Sequence, residues 1–414
     1  MGQGIFGLFV LTLLAWAMSE NKKLINWRPI IIGIVLQFVL AGLLLNFTLF
    51  KEIFLFLNSM VISLQQASKA GTSVVFGYLG GGDLPFVETF SGASFLFAFQ
   101  ALPLILLMSA LSALLYYWKI LPVIVGWFSL LLQKSIGIGG ALGFGAAMNI
   151  FVGMIEAPIT IRPYLKIMTR SEMFAIMTCG MATIAGTVMV LYATILGPIF
   201  PDALGHLLTA SIISAPAALA LSLLMVPETA EGGTIGDSLP PSQATGAMDA
   251  INKGTSDGVQ LLIQVMAMMV VLIALVELVN QILSLLPMLN DAPLTLQRVL
   301  GWLMAPIVWL MGIPWSEAHI AGALMGTKTI LNEFIAYMDL VNIPAHELSD
   351  KSRLIMIYAM CGFANLGSLG IMIGGIGGIV PERRKEIIEL GTRSIVAGTL
   401  ATCMTGAVVG IVSG

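Results

Sequence analysis

Hydrophobic positions in this chain fall into long unbroken runs separated by short polar stretches, without the every-second-residue alternation of half-buried strands. Runs at 4–19, 29–50, 93–118, 172–198, 205–226, 258–285, 354–380 and 387–413 approach or exceed the roughly 20 residues that carry a helix across a bilayer. They predict an all-α polytopic membrane protein with eight transmembrane helices. The first run, GIFGLFVLTLLAWAMS, has no Lys or Arg before it, whereas Lys22, Lys23 and Arg28 follow it. That order opposes a cleaved secretion signal and predicts a retained span with its N-terminus outside. An even number of crossings then places both termini outside.

Two apolar stretches, 137–165 and 314–341, are left over. Each has small or polar residues near its centre and the same predicted side at both ends, the pattern of a re-entrant hairpin. Irregular backbone at membrane depth is tolerated only where protein or a water-filled cavity covers it. The first hairpin enters from inside and the second from outside, so the two are opposed. The scheme puts 13 of the 19 Lys and Arg residues inside (Lys22, Lys23, Arg28, Lys119, Lys134, Arg162, Lys166, Arg170, Lys253, Arg383, Arg384, Lys385 and Arg393), the bias expected of cytoplasmic segments. The other six are Lys51, Lys69, Arg298, Lys328, Lys351 and Arg353, which read as loop charges except for Lys328, which falls within the second hairpin.

Composition narrows the classes further. The chain is 58% hydrophobic and only 10% charged, with a net charge of -3, which offers no basic field to a nucleic acid. Cys179, Cys361 and Cys403 lie in apolar segments without the paired spacing of a metal or redox site, and read as small packing residues. His206, His319 and His346 stand near segment ends in no relay spacing. Asp83 follows glycines in GGGD and has no second intramembrane Asp, so it reads as part of a turn. No catalytic constellation is present, and an enzyme is not expected.

An internal repeat carries the functional signal. CGMATIAG at 179–186 and CGFANLGS at 361–368 share Cys, Gly, a bulky apolar residue, Ala, a polar residue (Thr183 or Asn365), an aliphatic residue and two small ones. Glu156 lies 23 residues before Cys179, and Glu333 lies 28 before Cys361. Each half therefore offers an acid on a hairpin followed by a glycine-interrupted helix. The polar stretch PETAEGGTIGDSLPPSQATG at 227–246 reads as a cytoplasmic linker between the halves, 227–257 in all. An inverted repeat of hairpins and broken helices is the plan of a secondary transporter whose solute and ion meet near the midplane. Acids at such depth cost about 2.5 to 3.5 kcal/mol each on insertion scales, and are functional by default.

These residues also resemble the concentrative nucleoside transporters. The matching stretches are GTSVVFG at 71–77, FLFAFQALP at 95–103, NIFVGMIEAP at 149–158, CGMATIAG, GWLMAPIVWLMGIPWSEA at 301–318, KTILNEFIAY at 328–337, CGFANLGS and PERRKEIIELGTRSIVAGTL at 381–400, in family order. The resemblance implies a homotrimer in the plasma membrane, the bacterial inner membrane, importing nucleosides with sodium in most members and protons in some. It implies scaffold helices 1–3 with an extracellular loop at 1–118. The first transport half then covers 119–226, with an interfacial helix, hairpin, broken helix and fifth span. Scaffold helix 6 and a second interfacial helix follow at 258–313, and the second transport half covers 314–414.

Carried over by position, the resemblance assigns a sodium ion to the side chains of Asn149 and Thr183 and the carbonyls of Val152 and Ile184. Such oxygens suit a hard cation. The ribose falls to Glu333, Asn365 and Ser368, with Phe363 beside sugar and base. The base side keeps Val188 and Glu156 but has Met154 and Ile155 where the family commonly has Gln followed by Ser or Thr. That departure predicts base reading by shape and apolar contact, with altered or broader selectivity that could favour the larger purines. Proton coupling through Glu156 or Glu333, an inverted-repeat carrier for another polar solute, and a passive channel are the open alternatives. No resident cofactor is expected.

Overall fold

The computed structural model describes residues 2–88, 93–229, 244–288 and 293–413, which are helical throughout and contain no strand. Helices α1 (Gly2–Ala17), α2 (Trp27–Asn46), α3 (Thr48–Phe76), α4 (Phe97–Gln100) and α5 (Leu104–Tyr117) precede a first unit. That unit comprises α6 (Ile120–Ile136), α7 (Gly140–Phe151), α8 (Glu156–Thr160), α9 (Arg162–Leu165), α10 (Arg170–Ala182), α11 (Gly186–Leu196) and α12 (Ala203–Met225). After α13 (Ala247–Leu283), the same order recurs. It runs through α14 (Leu296–Leu310), α15 (Trp315–Ile330), α16 (Glu333–Asn342), α17 (Asp350–Met360), α18 (Leu366–Ile379) and α19 (Arg384–Val412).

In both units a helix leads into a hairpin, α7/α8 or α15/α16, then into a helix broken at its centre, α10/α11 or α17/α18, and closes on a long helix. Helices α14 and α15 meet at a bend of 117°. Among the described residues, six helical spans are long and apolar enough to cross a membrane: Trp27–Asn46, Phe97–Tyr117, Arg170–Leu196, Ala203–Met225, Ala247–Leu283 and Pro381–Val412. The other two predicted spans are α1, 16 residues long, and the broken helix α17/α18.

Local chemistry sets the helix starts. Thr169 and Glu172 form a reciprocal capping box on α10, while Asn26 and Ser349 cap α2 and α17; each such cap satisfies an amide left without an intrahelical partner. Small residues set the close approaches. Gly254 and Gly258 of α13 lie against Ser109, Ala110 and Leu106 of α5, where a Cβ would collide, and Gly33 of α2 lies on the Pro216 carbonyl of α12. Such contacts are how spanning helices pack without a hydrophobic driving force between them.

Three features differ from the sequence expectation. The stretch after the second span, expected as part of an extracellular loop, holds the 29-residue α3. It mixes apolar residues with Gln65, Gln66, Ser63 and Lys69; Val61 is buried and Gln65 donates to Thr194 Oγ1. The expected linker at 227–257 ends earlier, because α13 starts at Ala247 and Asp249 in its first turn pairs with Lys253 one turn on. Residues 230–243 of that linker lie outside the described residues. Arg353 is not a loop charge. It is 5% exposed, and its guanidinium donates to the carbonyls of Leu340, Ile343, Pro344 and Leu348, holding the α16–α17 turn.

Candidate functional site

Four interruptions of helix meet in the interior. Val152 after α7, Thr183 after α10, Asn332 before α16 and Asn365 before α18 are all extended, with φ of −115°, −122°, −166° and −145°. Breaking a helix leaves N–H groups at the start of the next segment and carbonyls at the end of the last without intrahelical partners. The two broken helices touch at their breaks, where the Phe363 N–H donates to the Thr183 carbonyl at 3.2 Å.

A cavity opens beside these breaks, and all eight residues that the resemblance assigns to solute line it: Met154, Ile155, Glu156, Val188, Glu333, Phe363, Asn365 and Ser368. Its polar end is organised around Glu333, the first residue of α16. Tyr192 Oη donates to Glu333 Oε1 at 2.6 Å, and Asn365 Nδ2 donates to Oε2 at 3.0 Å. Asn365 is itself held from the other side, since its Oδ1 accepts from the Ser368 N–H at 2.7 Å as the cap of α18. Each carboxylate oxygen therefore has one donor and retains lone pairs for further hydroxyls.

Glu156 opens α8 in the same way and faces the cavity, with its carboxylate folded over Gly153. A Cβ at Gly153 would collide with Oε2, so the glycine lets the carboxylate take this position and an alanine would force it aside. Met154 and Ile155 do two things. Met154 is nearly covered and backs onto Gly180 of α10, while Ile155 packs on Gly375 of α18; a Cβ at either glycine would overlap it. The apolar pair thus docks the hairpin tip into two glycine notches and presents hydrocarbon to the cavity.

The four residues assigned to sodium lie immediately behind this wall. Asn149 is 1% exposed; its Nδ2 donates to the Gly145 carbonyl at 3.1 Å, and its Oδ1 is buried without a hydrogen-bond partner. Thr183 Oγ1 lies 2.9 Å from both the Asn149 and Cys179 carbonyls. A hydroxyl whose hydrogen points to a carbonyl keeps its lone pairs for a cation. An orphaned buried side-chain oxygen, on the residue whose carbonyl accepts from that hydroxyl and at the carbonyl ends of α7 and α10, fits a hard cation. Val152 and Ile184 stand in the breaks that follow α7 and α10, and the Phe151 carbonyl lies against Gly186 across them. The described residues hold no His, Cys, Asp or Glu cluster suited to a transition metal, and all three cysteines are buried and free.

Several lining residues escape sequence reasoning. Tyr192 lies one turn beyond Val188 on α11, and its contact with Glu333 spans 141 positions. Leu261, Gln264, Val265, Met268 and Leu272 of α13 form the opposite wall, a helical stripe that reads in sequence as ordinary spanning surface. Gln264 adds an amide to an otherwise apolar face.

The chain matches the family model described as Na+ dependent nucleoside transporter C-terminus over 206–410, its N-terminal companion over 6–79, and one described as nucleoside recognition over 98–199. It is 36% identical to the nucleoside permease NupC of Helicobacter pylori, covering 99% of this chain and 97% of that protein. It is 34% identical to human solute carrier family 28 member 3, covering 98% of this chain and 59% of that protein. Among solved structures, CNTnw in an inward-facing substrate-bound state superposes with a TM-score of 0.90 at 36% identity, covering 100% of this chain and 99% of that one. A CNTnw variant in an outward-facing state gives 0.91 at 34% identity, covering 100% and 98%.

Proposed function

The chain belongs to the concentrative nucleoside transporter family, and from that premise we propose that it is a secondary active importer coupling nucleoside uptake to a sodium gradient by alternating access. The observation that carries the reading is the gathering of Met154, Ile155, Glu156, Val188, Glu333, Phe363, Asn365 and Ser368, drawn from two hairpins and two broken helices, around one cavity. In this reading Glu333 and Asn365 take the ribose hydroxyls, Ser368 adds a hydroxyl, and Phe363 covers sugar and base. Asn149, Thr183, Val152 and Ile184 take the ion. Its binding draws the α7 and α10 ends together and, through the Thr183 carbonyl and the Phe363 N–H, steadies the solute wall.

Base recognition rests on Val188, Glu156, Gln264 and the hydrocarbon of Met154 and Ile155. Each hydrogen bond absent from that pair is worth about 0.5 to 1.5 kcal/mol net, so binding survives while discrimination relaxes, with room for purines. The scaffold is proposed to comprise α1 to α5 with α13 and α14, and the moving transport region the two hairpin units. The exposed apolar face of α13, with Val270 and Leu278, suits lipid or a neighbouring protomer. The proposal extends to a homotrimer in the bacterial inner membrane with both termini outside.

Uptake of labelled uridine, adenosine, guanosine and thymidine into proteoliposomes, with sodium and proton gradients imposed separately, tests solute and ion together. Sodium-driven accumulation is expected. Uptake unaffected by Glu156→Gln and Glu333→Gln would remove the site assignment. A sharp pyrimidine preference that persisted in the Met154→Gln, Ile155→Thr double variant would remove the base reading.

A further inference from the structure

One buried charge has no role in the scheme above. Lys328 has no exposed surface, and its Nζ has no hydrogen-bond partner among the described residues. An ammonium stripped of water is costly unless its surroundings compensate it. Glu333, Cys361 and Cys403 are the groups within its electrostatic reach, and Glu333 already takes hydrogen bonds from Tyr192 and Asn365.

The repeat shows what this position is. Helix α7 ends at Phe151 and α15 at Ile330, so Asn149 and Lys328 each stand two residues before the end of the first helix of their hairpin. Each is followed by a short break and then by an acid that opens the next helix, Glu156 or Glu333. Each has a polar atom that is buried and unpartnered, an amide oxygen in one case and an ammonium in the other. Each is also close to the repeated cysteine of its own half: the Cys179 carbonyl accepts from Thr183, the residue that hydrogen-bonds to the Asn149 carbonyl, and Cys361 lies near Lys328. The carbonyl end of a helix concentrates negative partial charge, which a cation offsets whether it is free or covalently attached.

We propose that Lys328 is a tethered cation: its ammonium fills, in the second repeat, the position that the exchangeable coupling ion fills in the first. The inference rests on the reading of Asn149 as a cation ligand. A free ion enters and leaves in each cycle and so couples the gradient to transport; a lysine cannot leave. The first half therefore carries the exchangeable coupling site, and the second holds a resident countercharge for the ribose-binding carboxylate. The substitution of lysine for an oxygen ligand reduces two potential ion sites to one.

Two neutral variants separate this from a packing role. Lys328→Met keeps the length and supplies no oxygen, so it should fold in an apolar interior. Lys328→Asn supplies the amide found at the matching position of the first repeat. The full chain is reconstituted in proteoliposomes, and radiolabelled sodium and uridine fluxes are measured together over a range of sodium concentrations. Wild type is expected to carry about one sodium per nucleoside, Lys328→Met about one with nucleoside half-saturation raised about tenfold, and Lys328→Asn about two with a steeper sodium dependence. If a variant binds but does not transport, sodium-dependent thermal stabilisation of the purified protein makes the same comparison, and Lys328→Asn should respond more steeply than Lys328→Met. Identical sodium stoichiometry and sodium dependence in the two variants would overturn the proposal. A wild-type protein indifferent to sodium in both measurements would overturn the reading of Asn149 instead.

Discussion

Replacing Tyr192 by Phe removes one oxygen from the site and little else. The Tyr192 ring packs beside Phe334 and Tyr337, with centroids 6.2 and 5.4 Å away, and a phenyl ring keeps those contacts. The lost interaction is the 2.6 Å bond to Glu333 Oε1, while Asn365 still holds Oε2. A hydrogen bond to a charged group is worth about 1.5–3 kcal/mol net, which corresponds to about 10- to 100-fold in affinity. Water entering the open cavity replaces part of it, so the expected loss of uridine affinity is about tenfold, near the lower limit. In the proposed reading the bond matters because it would aim the carboxylate at the sugar hydroxyls. The penalty should therefore be smaller for 2′,3′-dideoxyuridine, which offers none there and should bind weakly to either protein. Equilibrium competition binding on purified wild type and Tyr192→Phe gives all four affinities of this cycle. Equal penalties for uridine and the dideoxy analogue, or no penalty for uridine, would refute the reasoning.

Other changes probe the surrounding structure. Gly153→Ala places a methyl group where the Glu156 carboxylate lies; uptake should fall at least tenfold while the thermal midpoint moves little, a contrast that pairs flux with a melting curve. Arg353→Met removes the donors that hold four backbone carbonyls together at the α16–α17 turn and should destabilise the protein by about 3 kcal/mol, seen as a lower unfolding temperature in detergent. Glu20, in the turn after α1, bonds to Arg170 and Arg393, and the Arg170 hydrogen bond holds its carboxyl below the usual 4.5. Because the folded value is the lower one, this contribution is present above about pH 4.5 and fades as pH falls through the folded value. The site is partly exposed, so it amounts to less than about 1 kcal/mol. Glu20→Gln should flatten that acid limb of stability against pH, and an unchanged slope would show the bridge to be inert.

Much of the architecture was written in one dimension. A run of apolar residues near the length of a bilayer crossing has few alternatives to a helix, because lipid supplies no partner for free backbone. The hairpins were legible as apolar stretches with polar centres, and the repeat as CGMATIAG against CGFANLGS, since a break needs small or polar residues wherever it occurs. Glu156 and Glu333 were conspicuous through the cost of their placement. What remained hidden depends on partners distant in the chain. Helix α3 interleaves polar side chains, one of which, Gln65, bonds to Thr194 on another helix, and α13 begins among polar residues that pair with one another. Arg353 looked like a loop charge until the turn of 343–349 folded its carbonyls around the guanidinium. Tyr192 and Gln264 read as incidental polar residues on apolar helices, because only packing brings α11 and α13 to the hairpin tips. The sequence by itself determined which segments enter the membrane and where they break, as desolvation of backbone and charge is a local cost. The tertiary structure alone decided which broken ends face one another, and hence which buried oxygen is left without a hydrogen-bond partner and which carboxylates face the cavity, as those outcomes depend on distance between segments.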